Sequence, residues 1–493
     1  MGACGRVIAA LNSDLQTRVG AFLSRALPDF CALTTLERLT GGASQETYQL
    51  DIVTRDGPRR LALRREAGGQ PITRTAGQVG LANEARLLRA ASAAAVPVPT
   101  ILAVLSPDDG LGEGFLMPWL AGETLGSKIV RDPVLCSLQP SLAYQSGQIL
   151  ARIHRMDVAQ LGLAGYLAET PPALLVEQTW ARYRAIDTPQ PMIDYTARWL
   201  LANLPPAPQQ TLVHGDFRNG NLMMSASGIM AVLDWELAHV GDPMRDLGWL
   251  CTHSWRFGRP DKPVGGFGDY AELFAGYTAE SGSTVDPVHV RFWEIFGSFW
   301  WAVGCLSMAD QYRSGPDRTV ERPAIGRRSS ECQVDCVNFL IPGPVSPVDS
   351  QTPIDTALPN TAELLASVRD FLRNDLAQGL AERHQYLARV AANSLDIVRR
   401  DLLLGNAARD AEQARLTDLL GNSAPLAAQR WALVHRLRAG AFTLDSPALT
   451  THLRATVVND VLIDQPRYAG AELALHWGAS AAGVTSSPAR LIL

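Results

Sequence analysis

Between residues 33 and 63 the apolar positions come in short alternating runs, broken at Gly41-Gly42 and again at Asp56-Gly57-Pro58. Period-two alternation punctuated by turn residues predicts a small antiparallel sheet built from hairpins. From Val79 to Ala95 the spacing of the leucines and alanines becomes helical. Val96-Pro97-Val98-Pro99 ends that helix, because proline pushes the residue before it into extended backbone. Two more strand-like runs follow, TILAVL at 100–105 and GFLMPWL at 114–120, separated by the turn-rich SPDDGLGE.

After Gly122 the pattern is mostly helical, clearest at 141–157 and 177–186. One island of strand interrupts it at 211–237, where the runs LMM and IMAVL flank SASG as in a hairpin. Residues 342–359 are dense in Pro, Ser and Asp and have little periodicity, which marks a linker and the main domain boundary. Beyond it, 360–468 read as Ala/Leu/Arg helices broken near Gly421-Asn422-Ser423 and Gly440, a small helical bundle. The whole order predicts an α+β chain with an all-α C-terminal part.

Composition narrows this only a little. The 493 residues are 47% apolar and 19% charged, with a formal net charge of −5, which excludes wholesale disorder and gives no sign of nucleic acid binding. The apolar window at 292–308 carries Glu294 and two glycines and is too short to cross a membrane, so it is expected to be a buried core helix. The N-terminus lacks the apolar run of a signal peptide, and Arg6 breaks the myristoylation pattern. Seven mostly scattered cysteines, of which only Cys332 and Cys336 are close, fit a reduced cytoplasm without a structural metal. Lys128 and Lys262 are the two lysines, leaving 42 arginines among 44 basic residues.

The chemistry concentrates in HGDFRNGN at 214–221. It sets His214, Asp216 and Asn221 at the H-x-D-x-x-x-x-N spacing of a kinase catalytic loop, with Asp234 at the end of the following strand. Phosphoryl transfer needs one carboxylate beside the attacking hydroxyl and separate oxygen ligands for Mg²⁺. Asp216 suits the first task, and Asn221 and Asp234 suit the second, because the intervening hairpin folds the chain back on itself. Glu84 sits beside the apolar helix face formed by Leu81, Leu87 and Leu88 and has no Lys or Arg at i+3 or i+4. It therefore needs a cation from elsewhere.

HGDFRNGN followed by VLDWE resembles the aminoglycoside phosphotransferase and choline kinase-like family over roughly residues 30–340. The branch in question is related to the kinase segments fused to acyl-CoA dehydrogenases. The resemblance implies a protein-kinase-like two-lobed domain over 1–343, with a small sheet lobe at about 30–120 and a helical lobe at about 121–343. A linker at 344–359 and a helical domain of unknown function at 360–493 would follow. It implies ATP, with GTP left open, together with Mg²⁺. Asp216 would be the catalytic base, Arg218 a phosphate-contacting residue, and Asn221 and Asp234 the magnesium ligands. His214 is expected to brace the loop by hydrogen bonding.

In the sheet lobe, LTGGASQETYQL resembles the turn that covers the phosphates, with Gly41, Gly42 and Ser44 nearest them. The strand RRLALRRE falls where the family carries a phosphate-binding lysine; Arg64 is the candidate here, paired with Glu84, and Arg65 is the neighbouring alternative. GFLMPWLAGETL resembles the hinge that binds adenine, with Met117, Pro118 and Trp119 lining it. Asp242 and Asp246 are expected to brace loops.

The acceptor is less legible. Residues 251–330 hold nine Lys/Arg and nine Asp/Glu, no sign of a polycation site. The expected reaction is ATP-dependent phosphorylation of a small-molecule hydroxyl, a hydroxy acid or hydroxyacyl compound being favoured over an aminoglycoside. No nucleic acid or membrane partner is expected, and oligomeric state is left open. Two other readings stand: a nucleotide-binding pseudokinase, which the arginine in place of lysine permits, and an interaction module centred on the helical tail.

Overall fold

The computed structural model describes residues 2–39, 45–69, 79–206, 209–315, 317–350 and 358–477. The chain divides into two compact units, the first formed by residues 1–171, 207–250 and 267–285, the second by 172–206, 251–266 and 286–493.

The first unit opens with a helix, Gly2–Ala26, that the sequence reading did not anticipate. Its signal was available: Leu15, Val19, Phe22, Leu23 and Ala26 recur at helical spacing, and they close over one face of a five-stranded antiparallel sheet. The strands are β1 (Phe30–Arg38), β2 (Gln45–Thr54), β3 (Gly57–Glu66), β4 (Ala103–Val104) and β5 (Gly114–Pro118), in spatial order β1-β2-β3-β5-β4. The turn between β2 and β3 is the expected Asp56-Gly57, with Gly57 at φ +118°. The run at 100–105 forms only the two-residue β4, although Leu102 and Leu105 still donate to the backbone of β5.

Strand alternation sorts the side chains of β3. Leu61 and Leu63 belong to the core beneath Gly2–Ala26, and Arg65 shares their parity. Arg64 has the opposite parity, the face toward the helix Gly80–Ala93 and its Glu84. That helix has the predicted extent and buries Leu81, Ala85, Leu87, Leu88 and Ala91.

The hairpin of the strand island is as expected, while the run at its start pairs with a strand beyond 237. β6 (Thr211–Val213) pairs with β9 (His239–Gly241), while β7 (Leu222–Ser225) and β8 (Gly228–Val232) form the hairpin around SASG. The helices Gln139–His154, Met244–Cys251 and Tyr270–Ser281 are joined to this island by a buried chain, Tyr277 to His154, His154 to Asp246, and Asp246 to the backbone of His214 and Gly215.

The second unit is helical. The window at 292–308 lies in the helix Pro287–Ser314 and buries Phe292, Trp293, Phe296 and Phe299, as expected of a core helix; Trp300 and Trp301 remain half-buried. The C-terminal helices Glu382–Leu420, Leu426–Arg438 and Pro447–Asp464 end near the predicted breaks, with Gly421 in the left-handed conformation closing the first.

The expected boundary at 344–359 does not coincide with the division between the units. Leu416, Leu420, Leu433, Leu437, Leu449, Leu453 and Val461 of the tail share one core with Met192, Tyr195, Val334 and Val337. Tyr195 donates to the carbonyl of Leu444 at 2.9 Å, and Arg438 pairs with buried Asp194 at 2.8 Å. The physical reason is that the tail helices carry an apolar stripe they cannot cover alone, and helices from before the linker cover it. Part of the linker is pinned as well, because Val348 N–H donates to Asn459 Oδ1 at 3.0 Å. Among the described residues no helix is long and apolar enough to cross a membrane.

Candidate active site

The loop after β6 is organised from below by a buried carboxylate. Asp246 is fully buried in Met244–Cys251, and it accepts the backbone N–H of His214 and of Gly215, each at 2.8 Å, and His154 Nε2 at 3.1 Å. Burial alone would push its pKa up, but the His154 hydrogen bond and the nearby His154, His214 and Arg245 outweigh it and hold the group at about 2. Arg245, also buried, donates to the carbonyl of Gly215 at 2.8 Å. Gly215 is required here: it sits at φ +84°, and a Cβ would come within 2.3 Å of the Leu237 carbonyl oxygen.

His214 is placed as a brace. Its Nδ1 accepts Asp216 N–H at 3.1 Å, so its Nε2 carries the proton that faces the Leu233 carbonyl at 3.1 Å. Burial lowers its pKa, in keeping with a neutral ring that uses both nitrogens.

These contacts present Asp216. Its Oδ1 accepts Arg218 Nε at 2.9 Å and Trp249 Nε1 at 2.8 Å, and its Oδ2 accepts Asn221 Nδ2 at 2.6 Å. Sequence reading missed Trp249. The signal was its place three residues after Asp246 on one helix, so that a single face supports the loop at two points.

The hairpin brings Asn221 and Asp234 to adjoining positions. Leu222 pairs with Val232, and Leu233 N–H donates to the Asn221 carbonyl at 2.8 Å. Asp234 itself is at φ +63°, a left-handed conformation uncommon outside glycine and tolerated best by Asp and Asn. Such strain persists where surrounding structure imposes it, and functional sites are where it collects.

Arg64 meets this group from β3. Its Nη2 lies 2.6 Å from Asp234 Oδ1, its Nη1 lies 3.4 Å from Glu84 Oε1, and its Nε donates to Gln45 Oε1. The expected Arg64–Glu84 pair is thus present but is the longer of the two ion pairs. Glu84 is 1% exposed, and its Oε2 has no hydrogen-bond partner among the described residues. Burial pushes its pKa up to about 7, offset only in part by Arg64 and by the backbone N–H of Trp235. Arg65 faces away from this cluster and is held by Glu46 at 2.9 Å and stacked on Tyr48.

Met117 and Trp119 lie half-buried at the end of β5; Met117 pairs with Ala62, and Trp119 N–H donates to the Arg60 carbonyl at 3.1 Å. Gly41, Gly42 and Ser44 lie outside the described residues. Asp242 accepts the N–H of Met244 at 2.9 Å at the start of Met244–Cys251.

A sequence model described as the phosphotransferase enzyme family, APH, matches residues 35–282, half of the chain. The chain belongs to that family. The matched span contains every residue of the cluster described above, and residues 378–468 separately match a domain of unknown function, DUF6285. Two similar proteins are acyl-CoA dehydrogenase family member 10 of Mus musculus, 34% identical over 219 residues, and member 11 of Gallus gallus, 31% identical over 247. Those matches cover 43% and 48% of this chain but 19% and 30% of the relatives, so the phosphotransferase spans less than a third of the curated relatives it matches. A solved structure from Ralstonia eutropha, provisionally assigned as an aminoglycoside phosphotransferase, superposes with a TM-score of 0.52 at 23% identity. It covers 64% of this chain and 95% of its own, which establishes the shared kinase-like fold.

Proposed function

We propose that this phosphotransferase moves the terminal phosphoryl group of ATP to a hydroxyl of a small molecule, with magnesium as the metal. The observation that carries the reading is the Asp216 carboxylate, oriented by Arg218, Trp249 and Asn221 on a loop that Asp246 holds from beneath. Phosphoryl transfer asks the protein mainly for positioning and charge stabilisation. Asp216 orients the acceptor hydroxyl and takes its proton as the new P–O bond forms. Arg218, held against Asp216 at 2.9 Å, steadies the charge of the transferring group. Arg64 binds phosphate oxygens, and the end of β5 around Met117 and Trp119 receives the adenine.

The donor set fits a hard divalent ion. The amide nitrogen of Asn221 is committed to Asp216, so its oxygen is the atom it offers, and Arg64 occupies one Asp234 oxygen while a third of that side chain remains exposed. When bound there, magnesium would neutralise charge on the nucleotide phosphates.

A hydroxy acid or hydroxyacyl compound is favoured as acceptor, supported by the balanced charge of residues 251–330 and by the acyl-CoA dehydrogenase names of the relatives. The test is ATP consumption over hydroxy acids, hydroxyacyl thioesters, amino alcohols and aminoglycosides. Turnover with the first two classes is expected; turnover confined to aminoglycosides would overturn the acceptor, and absence of both turnover and MgATP binding would overturn the kinase. In calorimetry, Asp234→Ala should weaken nucleotide binding in the presence of Mg²⁺ about tenfold or more and change it little in its absence.

A further inference from the structure

Where the family resemblance leads one to expect a lysine, the strand carries Arg64, and each kind of nitrogen in its guanidinium has a separate acceptor: Gln45 on Nε, Glu84 on Nη1 and Asp234 on Nη2. A lysine has no Nε along its stem and ends in one ammonium, so it could not make the Gln45 contact while holding both carboxylates. Gln45 is the first residue of β2. The cross-strand partner of Arg64 is Thr47, so Gln45 stands diagonally across on the same face of the sheet. Its other end donates Nε2 to Glu236 Oε2 at 3.4 Å, two residues past Asp234. One side chain therefore ties the start of β2 to the arginine and to the segment following Asp234.

Resting on the phosphotransferase reading above, we infer that Gln45 is a positioning residue that fixes the plane of the Arg64 guanidinium for phosphate, so that the site is built for arginine and not for a substituted lysine. A guanidinium binds phosphate through its planar fork, and its orientation decides whether two nitrogens or one can engage. With Nε held by Gln45 and Nη1 by Glu84, Nη2 is the nitrogen that can exchange Asp234 for a phosphate oxygen without the plane turning. That exchange would also free the Asp234 oxygen for the cation. Preorganisation of this kind improves nucleotide binding and leaves the Asp216 end of the reaction unchanged.

The test is a two-by-two cycle on the full chain with Gln45→Met, which keeps length and loses both hydrogen bonds, and Arg64→Lys. KM for ATP, kcat and MgATP affinity by calorimetry are read for all four proteins. With Arg64 present, Gln45→Met should raise KM for ATP about tenfold, the loss expected for one hydrogen bond to a charged group, while kcat changes less than about threefold. In the Arg64→Lys background the same substitution should alter KM by less than about twofold, since the contact to residue 64 is already absent and only the longer one to Glu236 remains to be lost. Equal effects in the two backgrounds, or a loss confined to kcat, would overturn the inference. If Gln45→Met does not fold, Gln45→Ala enters the same cycle with the same expectation. A wild-type chain that binds no MgATP would overturn the kinase reading itself, a result visible before any variant is made.

Discussion

Asp246 and Glu84 are both buried carboxylates in the same compact unit, and their environments drive them in opposite directions, to about 2 and about 7. Asp246 is met by two backbone N–H groups and a histidine, each within 3.1 Å. Glu84 has one cation at 3.4 Å, one backbone N–H at 3.4 Å and an oxygen with no partner among the described residues. The cost of removing a charge from water is the same kind of cost in both places; what differs is how fully it is offset. The carboxylates of the loop that presents Asp216 are thus each met by several donors, whereas Glu84 beside Arg64 is only partly compensated; under the proposed function an incoming phosphate would replace one partner of Arg64. On that proposal one half of the site would be fixed before nucleotide arrives, and the other would exchange a partner.

The largest effect should come from the fixed half. Asp216→Asn keeps the shape and can keep contacts to Arg218 and Trp249 through its oxygen, but it cannot accept a proton. Turnover should fall about a thousandfold or more, while MgATP affinity by calorimetry stays within about twofold. Turnover equal to wild type would remove Asp216 from the chemistry, and a parallel collapse of nucleotide affinity would erase the distinction between the two halves.

That the candidate residues come together was legible in the sequence because they stand at a fixed spacing on one loop and its hairpin. His214, Asp216, Asn221 and Asp234 lie within 21 residues and are joined by a hairpin whose turn announces itself. Arg64 was legible from its place after Leu61-Ala62-Leu63, on the strand where the resemblance puts a basic residue, with Arg65 as the neighbouring alternative; it is strand parity in the structure that separates the two. What could not be read was any partnership between distant segments that needs only one residue on each side. Gln45 touching Arg64 and Trp249 touching Asp216 leave no local pattern, because a glutamine at a strand start and a tryptophan on a helix serve many purposes. Where the tail buries its apolar stripe was not legible for a related reason. A Pro-rich stretch such as 342–359 marks where chain lacks periodic structure, but it does not say whether the helices on either side bury their stripes separately or, as Leu433, Leu449 and Val337 do, in one core.

A smaller effect separates the halves by stability. In Asp246→Asn one oxygen becomes a donor that must face other donors, so unfolding free energy should fall by about 3 to 5 kcal/mol, as for breaking a buried, hydrogen-bonded charge. The pH dependence should change with it. Because the folded pKa is depressed to about 2 from 3.8, the contribution of Asp246 is fully present above about pH 4 and is lost as pH falls toward 2. Denaturant titrations between pH 2 and 5 should show a falling acid limb in the wild type that is shallower in Asp246→Asn; identical limbs would mean that the network beneath the loop is not what holds it.

The smallest effect has the opposite sign. Glu84 has a folded pKa raised to about 7 from 4.5, so below pH 4.5 it is protonated in both states and costs nothing. Between about pH 4.5 and 7 the unfolded chain releases that proton while the folded chain retains it, and the Glu84 contribution lowers stability progressively as pH rises, by about 3 kcal/mol or less in total. Glu84→Gln stays neutral at every pH and should remove this slope, so that wild type and variant differ least near pH 4.5 and most near pH 7 and above. The variant keeps an amide oxygen for Arg64 but loses the charge. Unfolding curves of the two proteins across pH 4.5 to 8, referenced to one another so that other titrations cancel, measure the difference directly. A difference that does not vary with pH would show that Arg64 neutralises Glu84 as completely as its neighbours neutralise Asp246, and the contrast between a committed loop and an exchangeable cluster would then fail at the residue on which it depends most.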